Sequence, residues 1–268
     1  MKLIVESGAT KTDWCAIRLD GTVGTLKTEG VNLTTMPANS IDNMTQRAIE
    51  ILNVNNEPVS EVHIYAAGQL QPRVIGNVEY ASDLLAAARS LFGRESGIAA
   101  ILGTGSNSCF YDGTQVVKNV RSGGFILGDE GSAACLGKMF ISDFLKGLVP
   151  DDIAKELESS FTVDYATVVK NVYKGEAPSR YLGSFAPWLL DRYQTSEYVN
   201  DLVKLNFRLF IQRALGRYDF KEQPIGIVGG FGYKLRNIFL EVAAPFGIRI
   251  SKIVESPLEG LIQYHSND

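Results

Sequence analysis

The chain states one order of parts twice. Leu3 to Gly21, LIVESGATKTDWCAIRLDG, passes from an apolar strand through a turn of Gly, Ser and Thr into a second apolar strand and then Asp-Gly. Gly97 to Gly113, GIAAILGTGSNSCFYDG, does the same. Asp20-Gly21-Thr22 and Asp112-Gly113-Thr114 are favoured hairpin turns, and each leads into a third strand, Val23 to Lys27 and Gln115 to Asn119. A chain that repeats such a unit is expected to fold as two similar halves, which can face each other across one ligand.

The repeated turns have a shared chemistry. In Ser7-Gly8-Ala9-Thr10-Lys11-Thr12, Gly8 permits close backbone approach, Thr10 and Thr12 offer hydroxyls, and Lys11 a mobile positive charge. Gly103-Thr104-Gly105-Ser106-Asn107 supplies small residues, hydroxyls and unhindered N–H groups. Both suit a polyphosphate; taken singly, each also reads as a plain hairpin turn. The first turn is not a P-loop, because Gly-Lys-Ser/Thr before a helix is absent.

Between and beyond the repeats, helical and extended segments alternate. Ile41 to Leu52 has helical spacing with Ser40 as its expected cap, and Glu61 to Ala66 reads as a strand ending in Ala67-Gly68-Gln69, where ligands commonly bind in α/β sheets. Asn77 to Ala81 is a further strand. Ser82-Asp83 then opens an alanine- and leucine-rich helix that stops at Gly93. An Asp at such a corner serves as a helix cap or as a site carboxylate, and the residues alone leave both open. Gly123 to Ser132, GGFILGDEGS, leads into another helix, where Asp129 and Glu130 could simply offset the helix dipole. From Asp152 to Gly216 the spacing is helical, with breaks expected near Pro178 and Pro187. Ile225 to Val228 runs into Gly229-Gly230-Phe231-Gly232 and a helix from Tyr233 to Ala244; a last strand, Ile248 to Val254, and a helix from Pro257 to about His265 follow.

The 268 residues are about two domains' worth, 45% apolar and 21% charged, with mean hydropathy +0.01. A net charge of −4 without a Lys/Arg block argues against nucleic acid as a partner. No run approaches membrane-spanning length and no signal peptide is visible, so a cytoplasmic, membrane-free protein is expected. Cys15, Cys109 and Cys135 read as buried free thiols, and two histidines, His63 and His265, do not make a triad or metal site.

Taken together, these parts resemble the actin-like ATPase superfamily of sugar kinases, actin and chaperone ATPases. More closely they are similar to the BadF/BadG-type family that includes N-acetylglucosamine kinase. GTGSN together with GDEGSA is the specific pair of motifs, and the resemblance covers nearly the full length. It implies an α/β fold of two ribonuclease H-like domains, residues 1–96 with 255–268 and residues 97–254, closing over ATP and Mg2+ as a homodimer. It implies phosphate contacts from Gly8, Thr10, Lys11, Thr12 and from Gly103, Thr104, Gly105, Ser106, with adenosine on Gly229, Gly230 and Phe231. Asn32, Gly68, Asn107 and Asp129 fall where the family meets the sugar, Asp83 matches its catalytic aspartate, and Glu6 stands at the place of a water-mediated Mg2+ contact. The implied reaction is phosphorylation of an amino sugar, foremost N-acetylglucosamine to its 6-phosphate.

Two departures from the family stand out. The first loop there begins with Asp, where this chain has Glu6. Only ten residues, Ala67 to Gly76, join two strands expected to be parallel, where a crossover generally takes a dozen or more. By this count a helix is missing, and either that side of the sugar pocket is trimmed or residues have been lost from the sequence. Two other functions remain open: an ATPase activating a dehydratase through an iron–sulfur cluster, against which Ala100, Ile101 and Leu102 stand where such proteins have cysteine, and a non-catalytic sugar and ATP sensor.

Overall fold

The structure, a computed structural model, describes residues 1–8, 10–31, 33, 36, 37, 39–69 and 72–266. Asn32, an expected sugar contact, lies outside the described residues.

The first repeat forms β1 (Lys2–Ser7), β2 (Lys11–Ile17) and β3 (Val23–Glu29), an antiparallel meander closed by its two short turns. After α1 (Ser40–Leu52) the chain adds β4 (Glu61–Ala66) parallel to β1. Then come β5 (Arg73–Ile75) and β6 (Val78–Ser82), with β6 parallel to β4. The sheet order is β3-β2-β1-β4-β6-β5.

The second repeat builds the same frame. After α2 (Asp83–Phe92), β7 (Gly97–Leu102), β8 (Ser106–Tyr111) and β9 (Val116–Val120) make the meander. A helical stretch follows, of α3 (Gly124–Leu127), α4 (Ala133–Leu145), α5 (Asp151–Ser160), α6 (Tyr165–Tyr173), α7 (Pro178–Gly183), α8 (Ala186–Leu190) and α9 (Glu197–Arg213). Next come β10 (Ile225–Val228), α10 (Gly230–Lys234), α11 (Arg236–Ala243), β11 (Ile250–Val254) and α12 (Leu258–Ser266). With β10 parallel to both β7 and β11, the order is β11-β10-β7-β8-β9. Laid over β6-β4-β1-β2-β3, this is the same topology strand for strand; β5 alone has no counterpart.

That extra strand accounts for the short connection. Instead of a crossover helix, the chain leaves β4, returns as three extended residues antiparallel to β6 on the sheet's outer edge, and turns at Gly76 and Asn77 into β6. Gly76 has φ +61, a turn conformation that glycine adopts without strain.

Other expectations are revised locally. Asn39 rather than Ser40 holds the cap position of α1, with no side-chain bond. The helical stretch does break near Pro178 and Pro187, between α6 and α7 and between α7 and α8, and each proline sits in the first turn of the helix that follows, where a missing N–H costs nothing. The helix expected from Tyr233 to Ala244 is split at Leu235 into α10 and α11. Asp129 and Glu130 precede α4, whose cap is Ser132, its hydroxyl accepting the Cys135 N–H at 3.1 Å. A first-turn dipole role for those acids is thereby removed.

Three apolar cores result. One lies under β1, β2 and β4 beside α1, with Trp14, Leu3 and Val5 fully buried. A larger one packs α4 to α9 and α11 on β7 and β10, around Phe140, Phe185, Phe207, Phe210 and Phe239. The third is shared: Ile4, Cys15 and Tyr65 of the first sheet and Ala99, Cys109, Tyr111 and Val228 of the second close on the Leu-Leu-Ala-Ala-Ala run of α2. α12 packs against α2, β1 and β2, and its Gly260 lies so close that a Cβ would sit 2.3 Å from the Ser90 carbonyl. All three cysteines are buried and free.

Candidate active site

The two repeated turns meet. Thr10 Oγ1 and Thr104 Oγ1, 94 residues apart, are 2.8 Å from each other. Each turn comes at the C-terminal end of the parent strand of its sheet, β1 or β7, so the mirrored topology carries both to one mouth.

In the first turn, Gly8 N–H donates to Lys11 O at 3.0 Å and closes the bend. Behind it Ser7 and Thr12 are fully buried. Their hydroxyls share a 2.7 Å bond, Thr12 donates to Glu29 O, and Ser7 Oγ accepts the Val31 N–H. The Thr12 hydroxyl, expected on phosphate, is therefore turned inward as a brace, because it pairs in register with Ser7. Thr10 and Lys11 remain exposed at the tip.

The second turn is braced from α4. Gly103 N–H reaches Gly105 O at 2.9 Å, and the carbonyls of Gly103 and Thr104 accept from Ala133 and Ala134 at 3.0 Å. Ser106, also expected on phosphate, gives its hydroxyl to Glu130 O at 2.7 Å and its N–H to the Asp129 carboxylate. Next to this turn, Gly229 adopts φ +130, and a Cβ there would lie 2.4 Å from Leu102 O. Only glycine lets the 229–230 loop sit this tightly on the end of β7. Gly230 faces open space, whereas the Phe231 ring turns inward, 5.8 Å from that of Phe207.

Behind Thr10 three carboxylates gather. Glu6 and Asp13 are direct cross-strand partners on β1 and β2, which puts their side chains on one face, toward α2. Asp83 is the first residue of α2, and the cap is Ser82, whose Oγ accepts the Leu85 N–H at 3.2 Å. The capping role open to Asp83 in the sequence thus belongs to its neighbour. Burial, then the Asp83 and Asp13 charges, push Glu6 up to about 8, with Lys11 opposing. Burial pushes Asp83 up to about 6. Lys11 Nζ meets Asp13 Oδ2 at 2.7 Å, and the buried Asp13 Oδ1 has no hydrogen-bond partner among the described residues.

With one ammonium among three carboxyl groups, Glu6 keeps its proton up to about 8, a shortage of positive charge that a hard divalent cation fits. Among the described residues no three acidic, His or Cys side chains converge into a metal cage. Mg2+ tolerates that arrangement, because it keeps several waters and shares its ligands with phosphate.

On the far side of the second turn stand the remaining polar groups. Asp129 is nearly buried and holds φ +57, a left-handed conformation rare for a residue with a side chain. Burial raises its carboxyl, against the Ser106 N–H, the Ser122 hydroxyl and the Lys138 charge. Asp129 Oδ2 would lie 3.0 Å from a Cβ on Gly105, so the glycine leaves just enough room for the carboxylate. Asn107 Oδ1 accepts from Ser108 N–H and Asn119 Nδ2. Beside it opens a pocket of about 260 Å3, lined also by Arg121, Ser122, Glu130 and Arg213. Gly68, φ +82, follows β4 in a turn whose Ala67 bonds Ser7 O and Leu33 N–H.

Asp13 was not singled out in the sequence. Its signal was an acid among the otherwise inward-facing residues of TDWCA, directly before the tryptophan. Lys138, a lysine on the mostly apolar α4, and Asn206, the polar residue on the buried face of α9, are likewise residues that the sequence does not mark.

No family model matches the chain, and no curated protein is similar to it. Among solved structures it is similar to a proposed N-acetylglucosamine kinase from Porphyromonas gingivalis, at 33% identity over 100% of this chain and 99% of that one, with TM-score 0.91. A proposed N-acetylglucosamine kinase from Chromobacterium violaceum shares the fold at 17% identity, 98% of each chain and TM-score 0.77. A proposed N-acetylmannosamine kinase from Listeria monocytogenes does so at 16% identity, 99% and 98% coverage and TM-score 0.51. Among the described residues no helix is long and apolar enough to cross a membrane. With two sheets of one topology, two turns meeting at a common mouth, and a full-length relative at this identity, the chain belongs to the N-acetylglucosamine kinase-like, BadF/BadG-type family of two-domain actin-like ATPases.

Proposed function

We propose that the protein is an ATP-dependent sugar kinase acting on an amino sugar, foremost N-acetylglucosamine, to give the 6-phosphate. The observation that carries this reading is the meeting of Thr10 and Thr104 in front of the Glu6, Asp13 and Asp83 carboxylates. The names of the related structures support it. The domains taken are residues 1–96 with 255–268 and residues 97–254, for which the packing of α12 on α2, β1 and β2 speaks.

Phosphoryl transfer asks a protein for positioning and charge neutralisation. The Gly8–Lys11 bend and the Gly103–Gly105 turn hold the β- and γ-phosphates, with Lys11 supplying positive charge, and the flat Gly229–Gly230 backbone lies against the adenosine. Asn107 and Asp129 orient the sugar. Asp83, its carboxyl lifted toward neutral pH by burial, takes the proton of the sugar hydroxyl as that oxygen bonds to the γ-phosphorus and the bond to the β–γ bridging oxygen breaks, releasing ADP. Mg2+, when bound near Glu6 and Asp13, neutralises phosphate charge and orients the transferred group. Closing the mouth excludes water that would otherwise hydrolyse ATP.

The test is ADP release with ATP and Mg2+ across a panel of sugars. The reading expects release dependent on an amino sugar, with phosphate recovered on the sugar. ADP release indifferent to sugar would mark an ATPase, and sugar and ATP binding without release a sensor.

A further inference from the structure

The GGFILGDEGS segment turns sharply four times, and something must hold it. Gly123 and Gly124 have φ +77 and +68, Asp129 φ +57 and Gly131 φ +81. Its internal bonds are few: Gly128 N–H to Gly124 O at 2.8 Å, Asp129 N–H to Ser122 O and Ser132 N–H to Asp129 O, both at 3.1 Å. Ile126 and Leu127 are 71% and 82% exposed, so apolar packing does not anchor the middle of the segment.

Two side chains do. Lys138, one turn into α4, reaches back and donates to Phe125 O at 2.7 Å and Gly128 O at 3.2 Å. These carbonyls lie within α3 and directly before Asp129, so one ammonium closes the loop against α4. From the other side the fully buried Asn206 of α9 accepts the Gly131 N–H at 2.8 Å and donates to Ser132 O at 3.0 Å. Asp129 sits between the clasps. Charge-assisted bonds of this kind are the stronger class, and a lysine has the reach to make both.

We infer that Lys138 is a positioning residue for sugar binding, fixing the carbonyls of Phe125 and Gly128 so that Asp129 keeps its left-handed conformation and presents its carboxylate beside Gly105 and Asn107. This rests on the reading of Asp129 as a sugar contact. Lys138 itself bonds backbone and has no role toward phosphates, so its effect should pass only through the sugar.

Calorimetric binding of N-acetylglucosamine and, separately, of ATP tests this on four forms: wild type, Lys138→Met, Lys138→Arg and Asp129→Ala. The expected result is that Lys138→Met weakens sugar binding roughly tenfold with ATP affinity unchanged, since misplacement of a contact by about 1 Å is costly. Lys138→Arg restores affinity to within about threefold of wild type, and Lys138→Met adds less than about twofold to Asp129→Ala, as two residues acting through one contact require. Lys138→Gln, with a donor but less reach, replaces the Met variant if melting shows that it does not fold. Wild-type sugar affinity in Lys138→Met while Asp129→Ala is impaired overturns the inference and leaves the sugar reading of Asp129 intact. Wild-type sugar affinity in Asp129→Ala overturns both, and equal losses of sugar and ATP make Lys138 a merely structural residue.

Discussion

Asp83→Asn separates chemistry from architecture at the centre of the site. Because the helix cap is Ser82, the substitution leaves the start of α2 as it is. Asn preserves shape and removes the proton acceptor, so turnover falls by roughly 10²–10⁴ with sugar affinity little changed. Stability moves the other way. Burial holds the carboxyl at about 6 instead of the usual 3.8, so the fold binds a proton that the unfolded chain has released between those values. Stability therefore declines as pH rises from about 4 to about 6, by roughly 3 kcal/mol at 1.36 kcal/mol per pH unit. Asn, being neutral, escapes that loss. At pH 7.5 the variant should melt about 5 °C above wild type, and at pH 4 the two should coincide. Thermal melts in EDTA without nucleotide, paired with sugar-dependent ADP release in Mg2+, read both quantities from one protein preparation. Wild-type turnover together with a pH-independent melting difference would refute the argument.

Further outcomes follow from other contacts. His265 is stacked on His63 at 3.9 Å and bonded to the Tyr65 hydroxyl at 2.8 Å, and burial lowers its pKa to about 3. The unfolded chain then binds the extra proton between about 3 and 6.5, so stability drops as pH falls below about 6.5, and His265→Gln flattens that slope in urea melts at pH 5 and 7. Gly229→Ala brings a methyl to 2.4 Å from Leu102 O at φ +130, and should lower stability by about 2–4 kcal/mol in denaturant titration while also weakening ATP binding. Thr10→Val removes one hydroxyl at the mouth and should raise the KM for ATP by roughly three- to tenfold without altering that for sugar; equal effects on both would mean that the turn is disturbed as a whole.

The duplication was legible because turn chemistry is local: Gly, Ser and Thr after an apolar run, then Asp-Gly, prescribe the same bends wherever they occur. Much of the site came with it, since both turns and Asp83 follow strand ends that the apolar runs mark. The rest depends on what lies across space. Thr10 and Thr12 look equivalent along the chain, and only the pairing of Thr12 with Ser7 turns that hydroxyl inward. Asp13 becomes notable only when β1 and β2 set it opposite Glu6. Asp83 and Ser82 compete for one cap, and the helix start decides between them. β5 is three exposed residues, too short and too wet to leave an apolar pattern, so the sequence suggested a missing helix where an edge strand returns the chain. Lys138 falls on a helix, where a lone lysine reads as a solvated face until its two carbonyl partners are seen.

The alanine run of α2 has a mechanical consequence. This helix touches β7, β8 and β10 of one sheet and β4, β6 and β1 of the other, and Ala86, Ala87 and Ala88 are all buried between them. Alanine has no rotamers to rearrange, so over this middle part of the helix one sheet can tilt as a smooth bearing carries a rotating shaft, and only Leu84, Leu85 and Leu91 toward its ends have to repack. Asp83 lies at the end of that axle. A rocking motion that parts Thr10 from Thr104 to admit a nucleotide would sweep the turns through the longest arc and leave the aspartate nearly still.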